Sequence, residues 1–96
     1  MKLKIYDKVA WQLDGGMEKE SVIEHFSFIL NWCHINNLLL PEGEETLAFG
    51  VDESCSLHER MFTEIGNKFM ATHYDKVANA KKGDEAYLNS LLRTIQ

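Results

Sequence analysis

The chain has 96 residues, of which 45% are apolar and 26% charged, the size and balance of one ordinary globular domain rather than a disordered or repeat chain. Folding at this length removes roughly 60–65% of the unfolded surface, enough for one modest core and little catalytic elaboration. The net charge of −5 disfavours binding to phosphate backbones and to anionic membranes, and no stretch approaches the ~18 apolar residues that span a bilayer.

The opening segment, Met1 to Asp7, carries no apolar stretch of the secretory kind. With only Cys33 and Cys55 and no disulfide framework, a reducing cytoplasm is the expected setting. Met1, Leu3 and Ile5 alternate with Lys2 and Lys4 as a strand does, and Tyr6, Val9, Ala10 and Leu13 then follow at helical spacing. Asp14-Gly15-Gly16 reads as a turn.

Residues 18–36 give the clearest helix. Val22, Phe26, Ile29 and Cys33 form a narrow stripe, flanked by Ile23 and Leu30 on one side and by Phe28, Trp32 and Ile35 on the other. A helix apolar around most of its circumference is a buried central helix. Glu18 and Glu20 suit the positive end of its dipole. Asn36-Asn37 suits its stop, because Asn tolerates the left-handed conformation.

Residues 38–53 admit two readings. Pro41 fits the first position of a helix, with Glu42, Glu44 and Glu45 in or near its first turn. Leu47, Phe49 and Val51 alternate instead as a short strand, able to pair with 1–6. Beyond, Leu57, Met61, Phe62, Ile65 and Phe69 predict an amphipathic helix over 56–72, capped by Ser54 or Ser56, with Arg60–Glu64 and Glu64–Lys68 on its solvated face. The helical pattern continues over 73–82 and stops at Gly83. Asp84 then caps a last helix, 85–95, with Tyr87, Leu88, Leu91, Leu92 and Ile95 inward. The expected fold is mainly α, a single domain over 1–96 with a buried central helix and three or four further helices. The alternative is α+β, with a two-stranded pairing of 1–6 and 46–51.

Charge is unevenly placed. Residues 1–56 carry ten acids against four lysines, a net of −6, and residues 57–96 five acids against six bases, a net of +1. Glu42, Glu44, Glu45, Asp52 and Glu53 fall within twelve residues that hold no Lys or Arg. Such a run is either a solvated loop or an acidic edge that steers a basic protein toward it. Asp14 and Glu18 form a second acidic edge.

Other chemistry is thinly supported. Cys55-x-x-His58 has zinc-like local spacing, and Cys33-His34 adds two ligand types, but adjacent helical residues project about 100° apart and do not share one ion easily. His25 and His58 sit on or beside apolar arcs, where a hydrogen-bonded core histidine is the ordinary explanation. Burial makes Cys33 a small hydrophobe, and Asp52 and Glu53 raise rather than lower the Cys55 pKa. No nucleophile elbow, phosphate loop, dinucleotide fingerprint or EF-hand calcium loop is present. Tyr6 and Trp11 are core aromatics or partner anchors.

Tyr6-Asp7-Lys8-Val9-Ala10-Trp11 with Asp14-Gly15, Glu24-His25-Phe26, Ile29-Leu30-Asn31-Trp32-Cys33 and Asn36-Asn37-Leu38 resemble the opening of a family of small bacterial proteins of unassigned activity. Its members start with Tyr-Asp-Lys-x-x-[Trp/Tyr]-His-x-x-Gly-Asp. Glu64-Ile65-Gly66-Asn67-Lys68-Phe69, His73-Tyr74-Asp75 and Tyr87-Leu88 resemble its later segments, and 40–60 match poorly. Gln12 stands where the family has His, and Gly16 where it has Asp, so any chemistry of that pair is missing here. The resemblance implies an immunity protein of a contact-dependent or polymorphic toxin system. A non-catalytic protein that neutralises a cognate, basic, nuclease-type toxin domain is the leading expectation. It uses no cofactor or metal, touches no nucleic acid directly, and binds through Glu42, Glu44, Glu45, Asp52, Glu53, Asp14 and Glu18. The alternatives are another interaction or regulatory module, self-associating through an exposed strip of the 18–36 helix although a monomer is favoured, and a zinc-binding or hydrolytic domain.

Overall fold

The computed structural model describes residues 2–95. In chain order they form strand β1 (Ile5–Lys8), helix α1 (Val9–Asp14), helix α2 (Lys19–Ile35), helix α3 (Pro41–Phe49), strand β2 (Ser56–His58), a 3-10 turn (Glu59–Met61), helix α4 (Glu64–Val77) and helix α5 (Glu85–Arg93). The fold is a mainly helical single body with a short two-stranded antiparallel sheet.

α2 is the core helix its periodicity predicts. Val22, Phe26, Ile29, Leu30, Trp32 and Cys33 are all buried, and each fully buried large apolar side chain stabilises by roughly 1.5–3 kcal/mol. Its stop is a Schellman motif: the Leu38 N–H donates to the Cys33 carbonyl at 2.9 Å and the Asn37 N–H to the His34 carbonyl at 3.1 Å. Asn37 takes the left-handed conformation this requires, at φ 58°. Trp32 ties α2 to α4 and α5. Its ring centroid lies 5.0 Å from that of Phe69 on α4, and its Nε1 donates to Asn89 Oδ1 on α5 at 2.9 Å.

The middle of the chain departs from expectation. Residues 46–49 are the last turns of α3, not a strand, and β1 pairs with 56–58 instead. Pro41 occupies the first turn of α3, and Glu42 and Glu44 load it as the dipole favours. The alternation of Leu47 and Phe49 is a helical one, since residues two apart on a helix point to nearly opposite sides: Leu47 packs on the core and Phe49 faces solvent. The sheet register sets Asp7 opposite Leu57 and Lys8 opposite Ser56, with an irregularity before Asp7. Of the 1–6 strand signal, Ile5 and Tyr6 lie in β1, residues 2–4 precede it, and Met1 falls outside the described residues.

The expected helix over 56–72 is likewise divided. Leu57 is in β2, Met61 in the 3-10 turn, and Phe62 bridges to Leu39. All three are buried as predicted, on different backbone. The helix begins at Glu64, capped by Thr63, whose Oγ1 accepts from the Gly66 N–H at 3.1 Å, and not by Ser54 or Ser56. Arg60 therefore precedes the helix and has no i,i+4 relation to Glu64. Ile65 is exposed rather than inward. Gly66 faces the Leu38 carbonyl oxygen so closely that a Cβ there would lie 2.7 Å from it, and Gly43 meets the Met61 carbonyl in the same way at 2.4 Å. These two glycines let α4 and α3 approach the segments that run antiparallel at the Leu39–Phe62 bridge. α4 ends at Val77 rather than continuing to 82. α5 buries Leu88 and Leu92, packs Leu91 against the core, and leaves Tyr87 half exposed rather than inward.

Candidate functional site

Helix α3 and the loop that follows it into β2 wall a groove of about 360 Å³, whose lining includes Glu42, Glu45, Phe49, Asp52, Cys55 and His58. Among the described residues no Lys or Arg lines it. Glu42 and Glu45 come from the first half of α3. Gly50, at φ 96°, ends the helix and turns the chain back. Asp52 then fixes the loop: its Oδ1 accepts from the Ser54 N–H at 2.8 Å and from the Ser54 hydroxyl at 2.6 Å. Those hydrogen bonds hold its carboxyl below the usual aspartate range.

His58, in the groove lining, has a largely buried ring. Its Nδ1 accepts from the Arg60 N–H at 3.2 Å, and its Nε2 lies 2.7 Å from Glu42 Oε2. Burial, with a smaller push from Asp52, raises the Cys55 thiol to about 11, far from a reactive thiolate. Cys33 is buried in the core and raised to about 12 by desolvation. Cys55 and His58 share the groove. Among the described residues no three or more His, Cys, Asp or Glu side chains are grouped to hold a metal ion.

The structure does not gather the seven acids named from the sequence into one groove lining. Glu42, Glu45 and Asp52 line the groove. Glu44 faces α2, where its two carboxylate oxygens lie 2.7 and 2.8 Å from His34 Nδ1. Glu53 pairs with Lys19 Nζ at 2.9 Å, which ties the start of α2 to the groove loop. Asp14 ends α1 and Glu18 precedes α2, both exposed and outside the groove lining. The side chains of Asp14, Glu18 and Glu45 make no hydrogen bond or ion pair with the described residues.

Two features escape the sequence reading. Phe49 is 88% exposed on the rim of the acidic groove, a phenyl ring presented to solvent beside three carboxylates. Asp7, one acid among fifteen in the sequence, is only 4% exposed. The aromatic pair resolves differently for its two members. Tyr6 packs on the core and donates to Asn67 Oδ1 at 2.7 Å. Trp11 is half exposed, with the Lys8 ammonium 5.6 Å from its ring centroid.

Among the described residues no helix is long and apolar enough to cross a membrane. No protein-family model matches the chain, and neither does any curated protein or solved structure compared with it.

Proposed function

We propose that this protein is a non-catalytic binding module that captures a basic protein domain in the groove between α3 and β2, and that it serves as the immunity partner of a bacterial toxin. The observation that carries the reading is the lining itself: three carboxylates, no Lys or Arg among the described residues, and Phe49 at the rim. An exposed phenyl ring beside fixed charges is the usual make-up of an interface anchor, in which the ring supplies desolvated contact area and the charges supply orientation and rate. The toxin assignment rests on the sequence resemblance, and the groove supports it by its sign, because nuclease-type toxins bind phosphate and are basic at their active faces.

Self-association through α2 has less to draw on. That helix commits its apolar arc to the core and leaves Ile35 as its one exposed large hydrophobe.

The test is co-purification with the product of the adjacent open reading frame, together with a growth-protection assay. A complex that forms at micromolar concentration and is lost in Glu42→Lys/Glu45→Lys/Asp52→Lys supports the proposal. No complex and no protection refute it.

A further inference from the structure

Beside α1, a second cavity of about 430 Å³ has a lining that includes Asp7, Gln12, Ser21, His25 and Asn79. Its floor is an unusual acid. The Asp7 carboxylate is buried, and every partner it has is a neutral donor: the Lys8 N–H at 2.8 Å, Gln12 Nε2 at 3.1 and 3.0 Å, and the Tyr74 hydroxyl at 2.6 Å. No cation pairs with it among the described residues. Lys8, its neighbour in the chain, sends its ammonium over the Trp11 ring instead. Lys81 and Lys82 line a separate depression that shares only Ser21 and His25 with this cavity. Burial keeps the His25 imidazole below the ordinary histidine range, against the opposing pull of Asp7, so it adds no positive charge at neutral pH.

The remaining polar groups offer acceptors together with donors: the Gln12 and Asn79 amides, the Ser21 hydroxyl and the His25 ring, whose Nε2 is buried with no hydrogen-bond partner among the described residues. Gln12 donates from its amide nitrogen to Asp7, and Asn79 donates from its own to the Asp75 carbonyl at 2.7 Å. Neither amide oxygen accepts a hydrogen bond from the described residues, and the Ser21 hydroxyl lines the cavity beside them. A cavity with a buried carboxylate that no cation pairs with, and amide and hydroxyl oxygens on its wall, is complementary to a positive charge that brings several N–H donors.

We infer that this cavity binds a small organic cation with N–H donors, a primary ammonium or guanidinium group, either as a free amine or as the side chain of a lysine or arginine in a polypeptide. The cation approaches the Asp7 carboxylate and hydrogen-bonds to the Gln12 and Asn79 amide oxygens. Coulomb attraction to the buried carboxylate holds it. The site is separate from the acidic groove and does not depend on the binding function proposed there.

The test is a titration of the 15N-labelled protein with ethylammonium, methylguanidinium and Nα-acetyl-lysine methylamide, following amide shifts at Lys8, Gln12, Ser21, His25 and Asn79. Sodium chloride at equal ionic strength and n-propanol are the controls. Saturable shifts confined to these residues are expected, with half-saturation in the millimolar range that ligands of so few heavy atoms reach. Binding of ethylammonium alone identifies a free amine as the source, and equal or tighter binding of the capped lysine identifies a polypeptide side chain. Asp7→Asn is expected to weaken binding at least about tenfold. In case that variant does not fold, Ser21→Ala/Asn79→Ala leaves the Asp7 network intact and is expected to weaken binding roughly five- to tenfold. The inference is overturned by the absence of saturable shifts, by shifts that sodium chloride reproduces, or by unchanged affinity in the folded double variant.

Discussion

Replacing Tyr74 with Phe isolates the hydrogen bond at the centre of the molecule. Tyr74 on α4 donates to Asp7 Oδ2 at 2.6 Å, so α4 and β1 are joined through a buried carboxylate. The substitution removes one oxygen and leaves the stacking on Tyr6, with centroids 6.4 Å apart, intact. A hydrogen bond to a charged group contributes about 1.5–3 kcal/mol. With a urea dependence of ~1–1.5 kcal/mol/M for a domain of this size, the unfolding midpoint should fall by about 1–3 M at neutral pH. The pH dependence supplies a second, independent reading. Burial, then the hydrogen bond and charge of Asp7, raise the Tyr74 pKa in the folded state. The stabilisation is therefore complete below the unfolded tyrosine value of about 10 and is lost as pH rises above it, by up to ~1.4 kcal/mol per pH unit, because only the unfolded chain releases the proton. The gap between wild type and Tyr74→Phe should narrow by about 1.4 kcal/mol near pH ~11. A variant within ~0.5 kcal/mol of wild type at neutral pH, or a gap that ignores alkaline pH, refutes the reasoning.

Gly66→Ala should destabilise by about 1–3 kcal/mol, because the added Cβ would meet the Leu38 carbonyl at 2.7 Å and Phe62 Cβ at 3.1 Å; a thermal melt reads this as a loss of roughly 4–8 °C per kcal/mol. Phe49→Ser should leave stability within ~0.5 kcal/mol, since the ring is exposed, and weaken partner capture at least about tenfold, as measured by calorimetry on the complex. Both thiols are raised by burial, so alkylation by iodoacetamide near neutral pH should run at least ~100-fold slower than for a free thiol, with Cys55 ahead of Cys33 by mass spectrometry.

How far the fold can be read from the residues depends on the range of the signal. α2 was legible because one apolar period runs through all 17 residues of the helix and ends at Asn36-Asn37. The stretch 56–62 misled because Leu57, Met61 and Phe62 are buried by contacts with distant segments. Their spacing of four and one happens to fit a helix, while the backbone pairs with β1 and with Leu39. A cap residue marks the true start, Thr63 followed by Glu64. The acidic run at 42–53 was legible as charge but not as shape. It takes the folded chain to direct Glu44 to His34 and Glu53 to Lys19 and leave three carboxylates in the groove. The Asp7 site was invisible from spacing, since its hydroxyl partner lies 67 residues away.

That partition of the acids separates two ways in which negative charge promotes capture of a basic partner. Glu45→Gln and Glu53→Gln each change the net charge by one, so long-range steering alone predicts the same modest fall in association rate for both. That fall disappears once salt shortens the Debye length to a few ångströms, at about 1 M. The groove predicts a difference. Glu45 lines it and has no partner to compensate it, so its loss removes a contact in the complex and raises the dissociation rate by several-fold, an effect that salt reduces but does not abolish. Glu53 is already paired with Lys19 outside the lining, and its loss should leave dissociation within about twofold of wild type. Surface plasmon resonance at low and high salt resolves the two rates. Equal dissociation rates for the two variants would mean that the carboxylates act only as a diffuse field, and the groove would lose its claim to be the contact surface.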